Sequence, residues 1–359
     1  MGMNENKPLI TVAVPVWNGE PYIKTCLDSI KNQTYTNIEV IVADNHSTDN
    51  SYELIKKYVD EDKRFSVVTS DVRKCAAQSR NEAVAACHGK YILFVDVDDY
   101  IGLDTIEKLY NAISDGDKDL AYCDWYKFYP NGQKEERRLD RPEYTNDVLD
   151  REGILSLQKR IVGDSAPTNP MNLDLFSSLA GKLYKVDLIR NNKLEIMHVD
   201  KIGGADDALF NVDYLQFASS GVHIHDCLYY YFSNPKSYSH VQKVEKIDMF
   251  PLQYEQFRLR MAKYEKDESY NVSLAYRIYI QSFGAFIIAT TSGISKKEQK
   301  EVLRKYLDNQ YFKDILPLVS YKTFGWLFKP FFKGIKKGRL GFCLKYIRLA
   351  TWYRGRKAK

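Results

Sequence analysis

Three carboxylates follow directly on a short apolar run in the segment YILFVDVDDY, residues 91 to 100. Asp96, Asp98 and Asp99 carry like charges at close spacing, so a cation between them is favourable. Oxygen ligands of this type bind Mg²⁺ or Mn²⁺, which complete their shells with water and substrate phosphates. The segment therefore predicts a metal diphosphate site. The alternative is a solvated acidic turn before a helix that Asp104 caps.

Two further positions have the chemistry to contact a nucleotide. Asp44 ends the apolar run IEVIVA, where a carboxylate can accept the imide N–H of a uracil or the hydroxyls of a ribose. Simple turn chemistry is the alternative. Arg80 interrupts the small residues of AAQSRNEAVAACHGKY. It is either an ordinary surface group or a donor of charge-assisted hydrogen bonds to a diphosphate.

Two histidines alternate in the strand-like segment VHIHDCLYYYF. His223 and His225 therefore share one face of the predicted strand. Two imidazoles are part of many zinc sites, but no third ligand lies near them in the sequence, which favours packing or surface placement. Lys182, in GKLY, is either a phosphate contact or a structural residue.

The elements that must position these residues follow from the apolar pattern. Short runs rich in β-branched residues alternate with helical periodicity, at 9–15, 38–43, 65–70, 91–96 and 120–125. This alternation predicts an α/β fold with a mostly parallel sheet and helices on both faces. Such sheets bind ligands at the carboxyl ends of their strands, where PVWNGE, ADNHSTDNS and DVDD are found. The later pattern is helical, over 242–266, 270–290 and 296–307.

The composition excludes several classes of protein. Six scattered cysteines without metal-finger spacing favour a reduced, cytoplasmic compartment. No apolar run of signal-peptide type starts the chain, and no uninterrupted run reaches the ~18 residues of a membrane span. The nearest candidate, SLAYRIYIQSFGAFIIAT, contains Arg277 and Gln281 and is interpreted as a core helix.

The basic residues are concentrated at the C-terminus. The net charge is +5, yet the segment from Ile315 onward contains twelve Lys or Arg residues and no Asp or Glu. Mixed with large aromatics, it predicts peripheral contact with an anionic membrane surface through 321–359 rather than binding to nucleic acid. A packed helical domain or dimer contact is the alternative. In its last helix the polar face holds Lys345 and Arg348, and the apolar face holds Phe342, Leu344, Ile347 and Leu349.

Together, the segments ITVAVPVWNGEPYIKTCLDSIKNQTYTNIEVIVADNHSTDNS and SRNEAVAACHGKYILFVDVDD resemble the family 2 glycosyltransferases of the GT-A fold. The likeness covers the first 115 residues closely, because separate motifs occur in order at matching intervals. The segments LAGKLYKVDLIRNNKLEI and GGADDALFNVDYL resemble, more loosely, the acceptor half of bacterial polysaccharide members. The resemblance implies a Rossmann-like GT-A domain followed by a helical, basic and aromatic region.

The resemblance also implies a nucleotide-sugar site. The residues it places by the base and the diphosphate are Pro15, Trp17, Asn18, Asp44 and Arg80. Trp17, Ala43 and His46 stand where the family more commonly has Tyr, Asp and Gly, which leaves the nucleotide open, with UDP the first choice. His240 follows the second half-domain, where some relatives close a loop over the metal diphosphate.

For the chemistry, Asp96 and Asp98 would be the Asp-x-Asp motif that binds Mn²⁺ or Mg²⁺, with Asp98 as the first ligand and Asp99 in support. Asp207 would be the catalytic base, beside Asp206, in place of the family's usual Glu-Asp pair. Inverting transfer requires these parts, since a base must take the proton of the incoming hydroxyl while the diphosphate leaves from the opposite face.

The predicted protein is an inverting, metal-dependent glycosyltransferase that moves a sugar from a nucleotide-diphosphate sugar to a glycan or lipid-linked acceptor. The setting would be synthesis of capsule, exopolysaccharide, lipopolysaccharide or teichoic acid at the inner face of the cell membrane. One alternative is a non-catalytic nucleotide-sugar-binding scaffold, which would not need both acid groups. A nucleotidyltransferase is a second alternative, but no Gly-rich basic loop follows strand one.

The expected organisation is a transferase domain over 1–240 and a helical region over 241–359. The first domain divides into a nucleotide-sugar half, 1–115, and an acceptor half, 116–240. The basic amphipathic tail covers 315–359. A homodimer is left open, and the donor sugar and acceptor depend on side chains within 126–240.

Overall fold

The computed structural model describes residues 7–139, 147–163, 176–234 and 243–357. His240 lies outside them. The chain divides into two compact units. The first comprises Met1–Ser156, Ser178–Asp200 and Leu209–Pro235. The second comprises Leu157–Ser177, Lys201–Ala208 and Lys236–Lys359. The predicted division at residue 240 stays a prediction.

A central sheet organises the first unit. Within the described residues its strands are β1 (Ile10–Val16), β2 (Ile38–Asp44), β3 (Phe65–Thr69), β4 (Tyr91–Phe94), β5 (Tyr100–Ile101), β6 (Leu120–Phe128), β7 (Lys134–Arg137), β8 (Val148–Leu149), β9 (Lys182–Lys185) and β10 (Gly221–Phe232). Their order across the sheet is β3-β2-β1-β4-β9-β6-β10-β5, with β7 beside β6 and β8 beside β10.

The strand directions confirm a mostly parallel α/β sheet. β1 lies parallel between β2 and β4, β3 continues this parallel set, and β6 is parallel to β10. Strands β5 and β8 pair antiparallel with β10, and β7 pairs antiparallel with β6. A further antiparallel strand, β9, is inserted between β4 and β6. The sequence pattern did not predict this insertion, because apolar periodicity shows that a strand exists without showing its direction.

The parallel strands are joined by helices whose apolar faces cover the sheet. The helices of the first unit are α1 (Glu20–Lys31), α2 (Ser51–Glu61), α3 (Ala76–Ala86), α4 (Thr105–Ser114) and α6 (Val186–Asn191). In α1 the buried positions are Ile23, Cys26, Leu27 and Ile30, the three-to-four spacing of one helix face. Every residue of β1 is buried, so β1 is the rigid centre of the unit.

Three boundaries between the two units fall within helices of the chain. These helices are α5 (Arg151–Val162), α7 (Val199–Ile202) and α8 (Asp206–Phe217). The other elements of the second unit that the structure describes are helical: α9 (Lys246–Lys263), α10 (Glu268–Thr291), α11 (Lys296–Leu307), α12 (Gln310–Ile315), a 3-10 turn (Tyr321–Thr323), α13 (Lys329–Lys336) and α14 (Leu340–Lys357). The three predicted helical segments agree with α9, α10 and α11 to within a few residues at each end.

Helix α10 is the core helix of the second unit. Its buried Arg277 donates hydrogen bonds of 2.8 and 2.9 Å to the carbonyls of Val162 and Ile161, which satisfies the guanidinium inside the unit. Among the described residues α10 alone is long and apolar enough to span a membrane, and 78% of its most apolar window is buried in the protein.

The basic tail divides its apolar residues between core and surface. Leu344 and Ile347 of α14 are buried, whereas Phe342 and Leu349 are exposed. The predicted apolar face of this helix is therefore not one exposed surface, because half of it packs inside the unit. Trp326, before α13, remains 80% exposed.

Candidate active site

The carboxyl ends of β2, β1 and β4 meet at one edge of the sheet. Val16 at the end of β1 pairs with Asp44, and Ala13 pairs with Phe94. Two strand spacings separate β2 from β4, a distance of roughly 10 Å. Parallel register therefore brings the predicted nucleotide residue Asp44 and the carboxylates after β4 to the same edge.

Pro15 is accommodated in β1 because the pairing with β4 has ended at its level. The carbonyl of Ala13 accepts from Val95 N at 3.0 Å, so the alternation of a parallel strand turns Pro15 toward the β4 side. The last β1–β4 pair is Ala13 with Phe94, and the missing N–H of Pro15 costs no ladder bond.

Asn18 ties the loop after β1 to the loop after β2. Its backbone N donates to Ser47 Oγ at 3.0 Å, and its Oδ1 accepts from Thr48 N at 2.8 Å. Asn18 and His46 both adopt left-handed backbone conformations, with φ of 49° and 57°. Asn18 therefore has a positioning role in the structure, which the sequence did not predict.

Trp17 stands at the mouth of this edge. Its indole ring is 43% exposed, and the guanidinium carbon of Arg73 lies 3.7 Å from the ring centroid. Such cation–π stacking holds an exposed aromatic ring in one orientation.

Asp44 presents an unsatisfied buried oxygen. Its Oδ2 accepts from Ser47 N at 3.3 Å, whereas the buried Oδ1 has no hydrogen-bond partner among the described residues. A buried acceptor without a donor costs about 1–3 kcal/mol, so a donor from a ligand or a water molecule would stabilise this oxygen. An imide or hydroxyl group would do so.

Asp96, Asp98 and Asp99, named here the acid cluster, follow β4. Arg80 Nη2 of α3 donates to Asp96 Oδ1 at 2.6 Å, so the predicted diphosphate residue contacts the predicted metal site. Asn234 Nδ2 donates to Asp98 Oδ2 at 3.1 Å. The structure thus brings Arg80 and the acid cluster together.

Asp99 differs from its neighbours because it is fully enclosed. Tyr229 Oη donates to its Oδ2 at 2.6 Å, and Phe232 N donates to its Oδ1 at 2.7 Å. Tyr229 Oη also accepts from Asp96 N at 3.2 Å. With both oxygens engaged by β10, Asp99 holds the loop in place from beneath.

Negative charge accumulates in the acid cluster. Burial, and then the charge of Asp96, raises the pKa of Asp98 above its usual value. Burial, and then the charges of Asp96 and Asp98, raises the pKa of Asp99 well above its usual value. Burial and the same carboxylates raise the pKa of the Cys26 thiol, which stays protonated. A divalent cation would relieve this repulsion, and the all-oxygen donor set fits Mg²⁺ or Mn²⁺.

Asp206 and Asp207 open helix α8 and belong to the second unit. The preceding residues Gly203, Gly204 and Ala205 have φ of 70°, 135° and 64°. A Cβ on Gly203 would lie 2.5 Å from Met249 Cβ, so only glycine fits there. The left-handed Ala205 stores strain of about 1–2 kcal/mol, a feature that concentrates at functional sites. In the sequence, the segment GGADD marks this turn and the acidic start of the helix.

The structure also shows the contacts of Lys182 and of the histidine pair, which lie outside the predicted site. Lys182 is buried, and its Nζ donates to the carbonyl of Ser178 within the first unit. His223 and His225 do have a carboxylate near them, since Asp124 of β6 lies beside both rings. The sequence shows no such neighbour because Asp124 comes from an adjacent strand rather than from the adjacent sequence. The preference for packing or surface placement of the two histidines stays a prediction.

Comparison with known proteins identifies the family. A model of the Glycosyl transferase family 2 matches residues 11–178. Glycosyltransferase GlyG of Streptococcus pneumoniae serotype 4 is 30% identical over 223 residues, which cover 62% of this chain and 70% of GlyG. The chain belongs to glycosyl transferase family 2.

Two further proteins that are similar to this chain agree with this family assignment. Glycosyltransferase GlyA of the same organism is 32% identical over 222 residues, covering 62% of this chain and 30% of GlyA, so the chain spans less than a third of that relative. The crystal structure of S. aureus TarS 1-349 in complex with UDP-GlcNAc superposes with a TM-score of 0.63 at 19% identity, covering 97% of this chain and 92% of that one. This confirms the predicted GT-A fold.

Proposed function

We propose that this family 2 protein is an inverting glycosyltransferase that moves a sugar from a UDP-sugar to a glycan or lipid-linked acceptor in bacterial polysaccharide synthesis. The observation that carries the proposal is the shared sheet edge, which holds the open Oδ1 of Asp44 and, two strand spacings or roughly 10 Å away, the acid cluster. The UDP-GlcNAc complex of the similarly folded TarS supports UDP as the donor nucleotide.

The contacts of four residues support the roles that we propose for them in binding the nucleotide. Asp44 would accept the imide N–H of uracil with its open Oδ1. Trp17, oriented by Arg73, would flank the base, and Pro15 and Asn18 would shape the pocket floor. Each side chain is held by backbone or side-chain contacts before a ligand arrives, which lowers the entropy cost of binding.

The acid cluster would hold the metal. Asp98 and Asp96 are the ligands of Mn²⁺ or Mg²⁺ in this proposal, and the enclosed Asp99 positions them. The ion, when bound, neutralises the charge of the leaving diphosphate. Arg80 would donate to the same phosphates from its position beside Asp96.

Asp207 would take the proton of the attacking hydroxyl, with Asp206 beside it. Both stand in the first turn of α8, where the helix dipole favours the ionised carboxylate. The left-handed residues Gly203, Gly204 and Ala205 precede them and fix the residue at which helix α8 begins.

A thermal-shift screen of nucleotide sugars with and without Mn²⁺ tests the donor assignment, since a ligand that binds only the folded state raises the melting temperature. We expect UDP-sugars to raise it and GDP-sugars not to, and Asp44→Ala to remove the rise. The control is Asp115→Ala, an exposed carboxylate of the same unit. Equal shifts with UDP- and GDP-sugars would overturn the nucleotide assignment.

Asp207→Asn tests the base. General-base loss should lower kcat for transfer by roughly 10²- to 10⁴-fold while the donor-induced thermal shift persists. Asp200→Asn, an exposed carboxylate of α7, is the control and should transfer normally. The anomeric configuration of the product, read by NMR, decides between inversion and retention.

Exposed apolar and basic side chains support a membrane-surface role for 321–359 at the cytoplasmic face. The exposed apolar set is Trp326, Leu327, Phe342 and Leu349, in a segment without acidic residues. Trp326→Ser with Leu327→Ser should reduce co-sedimentation with phosphatidylglycerol vesicles. Leu252→Ser, an exposed leucine of α9, is the matched control. Unchanged co-sedimentation would remove this part of the proposal.

A further inference from the structure

The geometry points to a second metal site in the first unit, built from Asp124 of β6, His223 and His225 of β10, and Asp147 before β8. We propose that this set, named here the histidine cluster, binds a borderline divalent ion with Zn²⁺ as the first choice. It shares no residue with the acid cluster, and it requires no transferase activity.

The ligand atoms already converge. One atom each from Asp124, His223 and His225 lies within 4.8 Å of the others. His223 Nε2 is 2.8 Å from Asp124 Oδ1, and His225 Nε2 is 2.6 Å from Asp147 Oδ1. A tetrahedral ion with bonds of about 2.0–2.2 Å needs ligand atoms roughly 3.4 Å apart, so each hydrogen-bonded pair would open by less than about 1 Å to bind it.

The fold explains why these residues meet. β6 and β10 are parallel neighbours, and the register between them shifts between Ile224 and Cys227. Asp147 is fixed beside β10 because its carbonyl accepts from His223 N at 2.8 Å. Three separate stretches of chain therefore supply the ligands.

Surrounding contacts hold the ligands as outer partners do in metal sites. Leu139 N donates to Asp124 Oδ1 at 2.8 Å, and Arg138 Nη1 lies 3.3 Å from Asp124 Oδ2. The His223 ring stacks on Tyr122 with 4.6 Å between centroids, and both His223 and Asp124 are buried. The ring positions of a buried pair are thus set before an ion binds.

The chemistry of the donors selects the ion. Imidazole with carboxylate suits Zn²⁺ and its first-row neighbours, whereas Mg²⁺ prefers oxygen alone. The ion would take the place of the hydrogen bond between His223 Nε2 and Asp124 Oδ1, with the imidazole binding in its neutral form. His225 and Arg138 also line a cavity of about 450 Å³, which offers the ion a route of entry.

The site would fasten the strand that serves the acid cluster. β10 carries His223 and His225 near its start and Tyr229 near its end, where Tyr229 contacts Asp99. An ion joining β6, β10 and the segment before β8 would oppose fraying of this strand. The inferred role is structural support rather than chemistry.

The test uses the full chain, stripped with a chelator and then titrated with Zn²⁺. Dialysed protein should retain one Zn²⁺ per chain by mass spectrometry, and Zn²⁺ should raise the melting temperature even with Mg²⁺ in large excess. His225→Gln should lose both effects, since its glutamine keeps polarity without an imidazole. His225 is half-exposed, so this variant is expected to fold.

His88→Gln is the matched control, because His88 is an exposed imidazole paired with Glu39 at 3.1 Å. It should bind Zn²⁺ as the wild type does, and so should Asp98→Asn. In the Co²⁺-loaded protein, visible d–d absorption should vanish with His225→Gln. Zn²⁺ retention by His225→Gln equal to that of His88→Gln would overturn the proposal. So would a thiolate charge-transfer band, which would assign the ion to a cysteine.

Discussion

The acid cluster and the histidine cluster lie on one sheet, but they differ in how far the protein itself balances their charges. The acid cluster gathers three carboxylates at a strand end, and two of them have raised pKa values because like charges and burial act together. The histidine cluster mixes imidazole and carboxylate groups between neighbouring strands, where each charge already has a partner. The first arrangement keeps carboxylates with raised pKa values that a cation would stabilise, whereas the carboxylate of the second already faces both a histidine and an arginine.

This difference indicates distinct roles. A site with unrelieved charge gains most when a ligand arrives, so it suits reversible binding of a metal diphosphate. A site whose groups are paired in the folded chain contributes to stability before any ion binds. Substitutions should therefore affect activity at one cluster and stability at the other.

Asp98→Asn should produce the largest effect on activity. Loss of the first metal ligand should lower kcat/KM for sugar transfer roughly a thousandfold, the cost of removing one stabiliser of transition-state charge. His225→Gln should stay within about twofold, as do substitutions away from such sites. Initial rates with saturating Mn²⁺ measure both. Comparable losses in the two variants would erase the distinction between the clusters.

The residues of the acid cluster were predictable because strand ends are visible in the sequence. An apolar run that stops at carboxylates places them at the sheet edge, whatever the neighbouring strands are. Their partners Tyr229 and Asn234 were not predicted, since they come from β10 and its end, far along the chain. Nothing local in YYYFSN marks a contact with Asp99.

The histidine cluster was missed for a related reason. Period-two alternation correctly placed His223 and His225 on one face, but it does not say which strand lies alongside. The contact with Asp124 depends on β6 and β10 being parallel neighbours with an irregular register. The antiparallel β9 was missed in the same way, because direction and order in a sheet are set by long-range packing.

Asp124→Asn should produce the largest effect on stability. The carboxylate accepts from Leu139 N and faces both His223 and Arg138 from a fully buried position. Breaking such a charged, buried arrangement should lower the free energy of unfolding by about 3 kcal/mol. Urea unfolding of the metal-free protein measures the change. The exposed Asp115→Asn serves as the control, and a loss no greater than that of the control would contradict the assignment.

Tyr229→Phe should lower the free energy of unfolding by less than Asp124→Asn does. Tyr229 lies on β10, the strand that contacts both clusters. The substitution removes the donor to Asp99 and the acceptor of Asp96 N, at a cost of about 1–3 kcal/mol. Because the acid cluster loses its support, half-saturation by Mn²⁺ should shift to higher concentration. Tyr230→Phe is the matched control, since that ring stacks on Tyr100 and its hydroxyl has no hydrogen-bond partner among the described residues. Identical Mn²⁺ titrations for the two variants would show that Tyr229 only fills space.

The smallest expected difference between the two clusters is in how the free energy of unfolding depends on pH. Burial and neighbouring charge raise the pKa of Asp99, so the folded metal-free chain keeps a proton that the unfolded chain releases near pH 4. This contribution to stability is complete below that pH and is lost as the pH rises through the folded pKa. In chelator, Asp99→Asn should therefore gain stability relative to wild type with rising pH, by at most about 1.4 kcal/mol per pH unit.

Mn²⁺ should abolish that difference in slope, because the cation stabilises the ionised carboxylates. Urea titrations at several pH values, with and without Mn²⁺, measure it. Asp115→Asn should run parallel to wild type throughout, as its carboxylate is exposed. Parallel curves for Asp99→Asn in chelator would mean that Asp99 is ionised in the metal-free protein. In that case the acid cluster would already be relieved by groups of the chain itself, and the contrast with the histidine cluster would rest on ligand type alone.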